Sequence, residues 1–293
     1  MNSYILDGNA VAAEIRSEVK HGVEQIVRDG LCPPHLRVIM IGSNTASQTY
    51  VRLKMQDCEE VGISSSLSVL NDSITMNEVM DLIDDVNNND EINAVIIQKP
   101  LPSHLDSELL DSSLSPSKDV DGLHPVNLGL LLQGNPRFIP ATPLAVRELL
   151  VRSNIDIVGK NIVVIGRSNL VGKPLALILA QKNIYGNATV TIAHTGTKNL
   201  RAITLEADII IAATGYPNTV TADMVRSGAI VVDVGINRIN DSSRKRGYRL
   251  IGDVDFENVK TVAGAITPVP GGVGPITRAM LLKNTLDTIK ANY

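Results

Sequence analysis

The stretch "VVIGRSNLVGKP" (residues 163–174) decides the fold. Val163, Val164 and Ile165 form a run of apolar residues that reads as a short strand buried on both faces. Gly166 then permits a tight turn, and Gly172 lets a helix over residues 170–181 start close against the sheet. Backbone N–H groups at such a helix start can hold a pyrophosphate. The spacing departs from G-x-G-x-x-G: Ser168 stands at the middle glycine, and the last glycine comes one position late. On spacing alone, a phosphate loop and a plain strand–turn–helix connection stay equally open.

The neighbouring segments settle the fold class. "NIVVIG", "ATVTIA", "DIIIAATG" and "AIVVDVGIN" are short, nearly continuous apolar runs, the first three separated by helical stretches. That alternation predicts an α/β domain on a parallel sheet. An Asp or Glu after the second strand is the usual partner of an NAD ribose hydroxyl. Here that strand ends in His194 and Thr195, with no acid, while Arg167 sits in the glycine turn. A cation and a hydroxyl without a carboxylate suit a 2′-phosphate, hence NADP.

Upstream, the chain also alternates. A helix with the stripe Val11, Ile15, Val19, Ile26 ends at Gly30 and is followed by the strand "RVIMIG". "ISSSLSVL" is a weaker strand, Thr75 with Glu78 makes a capping box, and "AVIIQ" is a strand stopped by "KPLPSH". In "IPATPLAVRELL", Thr142 is the expected N-cap and Pro143 the first helical residue of a helix joining two domains. "NRINDSSRKRGYRLIGDVDF" reads as a surface hairpin whose basic cluster Arg244, Lys245, Arg246 is solvated. The C-terminal helix carries the stripe Ala279, Leu282, Leu286, Ile289.

At 293 residues, 44% hydrophobic and 20% charged, the chain is a two-domain globular protein. Aromatics at 3% and a net charge of −4 argue against nucleic-acid binding and against a membrane surface. No apolar run has the length of a membrane span, no signal peptide is read, and no residues show metal-ligand spacing. Two cysteines, Cys32 and Cys58, suggest no disulfide framework and fit a reducing cytoplasm.

One helix is anomalous. In "SQTYVRLKMQDCEEVG" (residues 47–62), about 100° per residue gathers Tyr50, Val51, Met55, Cys58 and Val61 on one face, and Lys54 falls among them. Gln98 closes an apolar strand, where ligands of α/β sheets collect, and Asp119 and Asp121 lie in "KDVDG". Taken singly, each has a plainer explanation: a snorkelling lysine, a strand-end cap, a turn. A buried lysine also has a use, since desolvation disfavours the ammonium form and frees the amine for proton transfer.

Taken together, the segments "SQTYVRLK", "IIQKPLP", "KDVDGLHPVNLG", "PATP", "GRSNLVGKP", "ATVTIAHTGT", "DVGIN" and "TPVPGGVGPIT" resemble the bifunctional methylenetetrahydrofolate dehydrogenase / methenyltetrahydrofolate cyclohydrolase family nearly end to end. The resemblance implies a Rossmann-type NADP domain (residues 141–269) inserted into an α/β folate domain (residues 1–140 with 270–293), a cleft between them, and a homodimer. It implies oxidation of 5,10-methylenetetrahydrofolate by NADP+ and hydrolysis of the methenyl product to 10-formyltetrahydrofolate. This is a one-carbon supply for purine, methionine and histidine biosynthesis. By the same resemblance Lys54 is the acid/base group, Gln98 its partner, Tyr50 an orienting and stacking residue, and Asp121 the pterin carboxylate. Pro270, Gly271 and Gly272 line the folate side, and Gly166, Arg167, Ser168, Thr195 and Ile236 hold NADP. Lys99 stands where family members usually carry an apolar residue, so a dehydrogenase with weak cyclohydrolase activity is the alternative. Strand alternation should turn Lys99 away from the side of Gln98.

Overall fold

A computed structural model describes residues 3–244 and 247–290. In chain order, β1 (Tyr4–Ile5), α1 (Gly8–Arg28), β2 (His35–Ile41), α2 (Thr45–Val61), β3 (Ser64–Leu70), α3 (Met76–Asn87) and β4 (Ala94–Gln98) come first. Then follow α4 (Ser107–Ser113), α5 (Pro125–Leu132), α6 (Ala141–Arg152), β5 (Asn161–Ile165), α7 (Gly172–Ala180), β6 (Thr189–Ala193), α8 (Leu200–Leu205) and β7 (Ile209–Ala212). The chain continues through β8 (Ile230–Asp233), β9 (Asn237–Asn240), β10 (Tyr248–Ile251), α9 (Phe256–Val259), β11 (Ala265–Ile266) and α10 (Val273–Lys290).

Two compact units result: residues 13–141 with the stretch from Arg278 onward, and residues 1–12 with 142–277. In the former, three parallel strands run in the order β3-β2-β4, with Leu36 opposite Ala94 and Met40 opposite Gln98. Ile39, Ile41, Val95 and Ile97 pack against Val79, Ile83 and Val86 of α3. The capping box starts α3: Glu78 N donates to Thr75 Oγ1, and Glu78 Oε2 accepts from Thr75 N at 2.8 Å.

The other unit holds a six-stranded sheet in the order β1-β11-β8-β7-β5-β6, with every pairing parallel. Three of the four apolar runs read from the sequence, β5, β7 and β8, are inner strands of this sheet; the fourth, β6, lies at its edge with most of its residues exposed, because no further strand among the described residues covers it. The sheet's other edge differs from expectation. Residues 3–12 and 270–277, assigned above to the folate side, group by contact with this sheet. The reason is backbone pairing. Tyr4 and Ile5 pair with Ala265 and Ile266, and Gly8 N donates to Gly271 O at 2.9 Å.

Two smaller expectations shift. Helix α6 begins at Ala141, so Thr142 lies within its first turn rather than at the N-cap; helix ends move by a residue or two readily. The polar excursion is the hairpin β9–β10, with Arg238 stacked 3.8 Å over the Tyr248 ring. Of its basic cluster, Lys245 and Arg246 lie outside the described residues.

Candidate active site

The helical face that carries Lys54 buries Val51, Cys58 and Val61, at 2%, 0% and 1% exposure. Lys54 is only half-buried. Its Nζ donates to Gln98 Oε1 at 3.0 Å. Gln98 is itself fixed, since its Nε2 donates to the Lys99 carbonyl at 2.6 Å. The amide orientation is therefore set by a donor on one side and an acceptor on the other. Helix phase delivers Lys54 and strand end delivers Gln98, so the pair is built from two rigid elements.

Tyr50 lies one turn before Lys54 but is 38% exposed. Among the described residues its hydroxyl has no hydrogen-bond partner; Gln98, not Tyr50, holds the lysine. Cys58 offers no competing nucleophile, because burial pushes its thiol up to about 12.

The two carboxylates of "KDVDG" separate by role. Asp119, 3% exposed, accepts from His124 N and from Asn127 Nδ2, both at 2.8 Å, and so holds the loop. Asp121 faces charge instead. Burial pushes its carboxyl above the ordinary range, and the Lys54 ammonium pulls it back. Lys99 does turn to another partner: its Nζ reaches Asp111 Oδ2 of α4 at 2.5 Å.

The sequence reading missed Asp57. It sits on α2 one turn beyond Lys54, is 7% exposed, and meets Arg278 Nη1 of α10 at 3.1 Å. Burial raises its carboxyl, opposed by Arg278 and Arg16. A charged residue on a buried helix face is the signal that could have found it.

On the other unit, the ends of β5, β6, β7 and β8 form the dinucleotide side. Gly166 has φ +132°, and a Cβ there would collide with the Ala213 carbonyl. A Cβ on Gly172 would collide with the Gly166 carbonyl. Both glycines are therefore required by close backbone approach. Val171, at the N-cap of α7, gives the helix start no side-chain cap. Arg167, Ser168 and Thr195 are exposed, and Ile236 is 46% exposed. Among the described residues, the Arg167 guanidinium and Thr195 hydroxyl have no protein partner. An uncapped helix start, a free cation and a free hydroxyl, with no carboxylate after β6, fit a dinucleotide bearing a 2′-phosphate.

Pro270, Gly271 and Gly272 lie between β11 and α10, in the same unit as this sheet. Gly271 has φ +105°, and a Cβ on Gly8 would collide with the Gly272 carbonyl, so this loop and the start of α1 lie backbone against backbone.

Comparison with known proteins places the whole chain. Residues 6–121 match the family model described as tetrahydrofolate dehydrogenase/cyclohydrolase, catalytic domain. Residues 140–293 match that of the same family's NAD(P)-binding domain. The chain is 49% identical over 286 residues to the bifunctional protein FolD of Chlorobium phaeobacteroides, covering 97% of this chain and 96% of that protein. Among solved structures, the bifunctional FolD of Campylobacter jejuni is 46% identical, with a TM-score of 0.93 over 99% of this chain and 100% of that one. The methylenetetrahydrofolate dehydrogenase-cyclohydrolase of Trypanosoma brucei, complexed with NADP cofactor and inhibitor, is 38% identical, with a TM-score of 0.94 over 100% and 99%.

Proposed function

The chain belongs to the tetrahydrofolate dehydrogenase/cyclohydrolase family, and from that premise we propose how its residues divide the two reactions. The protein is a bifunctional, NADP-dependent enzyme of one-carbon folate metabolism. It oxidises 5,10-methylenetetrahydrofolate to the methenyl form and hydrolyses that to 10-formyltetrahydrofolate.

Bound NADP+ supplies the hydride acceptor for the first step. The chain's part there is placement. The Gly166 turn, Ser168 and the start of α7 take the pyrophosphate, Arg167 and Thr195 the 2′-phosphate, and Ile236 an apolar wall. Asp121 accepts paired hydrogen bonds from the pterin, Tyr50 packs on the folate, and the loop of Pro270, Gly271 and Gly272 lines the folate side.

The second step is carried by one observation, the 3.0 Å bond from Lys54 Nζ to Gln98 Oε1. That bond takes up one N–H of the lysine and holds the side chain in place for proton transfer. Lys54 takes a proton from the water that adds to the methenyl carbon, then returns it to the pterin nitrogen as the carbon–nitrogen bond breaks. The adduct's hydroxyl proton leaves, so one proton is released overall.

The test supplies methylenetetrahydrofolate with NADP+, and separately methenyltetrahydrofolate, to wild type and Lys54→Met. Wild type forms NADPH and accelerates methenyl loss. The variant loses the hydrolytic step by at least about 10²-fold, the scale of a general acid–base group. Unchanged hydrolysis in Lys54→Met would remove the lysine from this role.

The working form is a homodimer in the cytoplasm, supplying one-carbon units to purine, methionine and histidine biosynthesis. Two free cysteines, one exposed and one buried, fit a reducing compartment. The dimer reading rests on the groove between α2 and β3, described in the Discussion.

A further inference from the structure

We propose that Asp253 is a positioning residue for the dehydrogenase, its carboxylate locking the Thr214–Gly215 turn after β7 to Asn237, next to Ile236 after β8, and so fixing both walls beside the nicotinamide. The proposal rests on the dinucleotide site assigned above.

Strand order says which end of the dinucleotide is concerned. β5 has β6 on one side and β7 on the other, the reversal point at which such sheets bind dinucleotides. The pyrophosphate turn is at the end of β5, and the 2′-phosphate pair, Arg167 and Thr195, lies toward β6. The other half of the molecule therefore extends over the ends of β7 and β8. Gly215, Tyr216 and Ile236 are exposed there.

Behind these exposed residues, Asp253 is fully buried. Its Oδ2 accepts from Thr214 N at 2.6 Å, Gly215 N at 2.8 Å and Thr214 Oγ1 at 2.9 Å. Its Oδ1 accepts from Asn237 Nδ2 at 2.8 Å. One carboxylate thus ties the Thr214–Gly215 turn to the first residue of β9, adding side-chain bonds to the Val220–Val254 bridge and the Asn237–Ile251 pair nearby. A second carboxylate holds the first. Asp233 Oδ1 accepts from Asp253 N and Gly235 N, and its Oδ2 from Val254 N, all at 2.9 Å. A Cβ on Gly235 would strike the Asp253 carboxylate, and one on Gly252 the Asp233 carboxylate.

Two buried like charges are a costly way to brace a fold. Burial pushes Asp233 up to about 6, against three backbone N–H groups, and Asp253 pushes the same way. That cost is borne where two exposed loops must be held still for hydride transfer, a step sensitive to placement.

The experiment compares wild type, Asn237→Ala and Asp253→Asn by NADPH fluorescence titration and by both activities, with cyclohydrolase assayed without NADP. Asn237→Ala should weaken NADPH binding and lower dehydrogenase kcat/KM by about tenfold, the loss of one hydrogen bond to a charged group. Asp253→Asn should do so more strongly. Dehydrogenase should fall further than cyclohydrolase in both. Wild-type NADPH affinity and dehydrogenase rate in both folded variants would overturn the proposal. So would equal loss of the two activities in step with melting temperature, the mark of a merely structural role. If Asp253→Asn fails to fold, Asn237→Ala decides alone. If wild type itself lacks dehydrogenase activity, the functional reading falls, while the NADPH titration still decides the brace.

Discussion

Lys99 is the residue that the resemblance marks as unusual beside Gln98, and its surroundings show where its charge goes. A second ammonium next to Gln98 in sequence ought to disfavour a cationic substrate. Its charge is instead matched by Asp111, whose carboxyl is raised by burial and drawn back by Lys99. Lys99→Leu should therefore leave the ratio of cyclohydrolase to dehydrogenase within about twofold, as for a pair whose charges already compensate. It should lower stability by about 1 kcal/mol, because Asp111 loses its cation in a half-buried site. Urea unfolding and paired assays check both; a large change in the ratio would mean the ammonium acts on the reacting carbon after all. Lys54 and Gln98 were legible in the sequence because their positions follow from local rules, helical phase and strand end. Asp57, Asp233 and Asp253 were not. Their partners, Arg278 for one and the Thr214 turn and Val254 backbone for the others, are supplied by tertiary structure that no period encodes.

The central strands of both sheets could be read because burial on two faces leaves almost no polar residue in them. The edge pair β1–β11 could not. Each is two residues long, and Tyr4 and Ile5 are 68% and 42% exposed, so neither length nor alternation marks them. That gap is why the pairing of Tyr4 and Ile5 with β11 went unread. Helix α3 is the opposite case, since its start was written in the side chains of Thr75 and Glu78. Thr75→Ala should cost about 1 kcal/mol, the usual worth of an N-cap. The Thr75 hydroxyl and N–H hold the Glu78 carboxyl below its ordinary 4.5. A depressed carboxyl stabilises the fold above its ordinary value and loses that contribution as pH falls through the depressed one. The penalty of Thr75→Ala should therefore shrink on acidification below about pH 4, close to the unperturbed glutamate value. A penalty that stays constant from neutral pH to well below about pH 4 would show that the carboxylate contributes nothing to the cap.

The homodimer proposed above makes use of an exposed apolar groove between α2 and β3. β3 is the edge strand of its sheet, and its Leu67 and Val69 are 37% and 59% exposed. With Met40, Val51, Met55 and Ile63 they line a groove of about 710 Å³. An open edge strand with apolar side chains is a template for pairing. Arg52 and Glu59 of α2 line the same groove, two turns apart along one helix face. A two-fold axis would bring the Arg52 of each copy toward the Glu59 of the other, the self-complementarity an isologous interface requires. No such match follows for an unrelated partner. Val69→Glu puts a charge in the apolar centre of the patch without touching Lys54, Gln98 or the dinucleotide sheet. The wild-type chain should sediment as a dimer and the variant as a monomer at micromolar concentration, with far-ultraviolet circular dichroism unchanged. A dimer that survives both Val69→Glu and the charge reversal Arg52→Glu would place the interface on another face of the subunit.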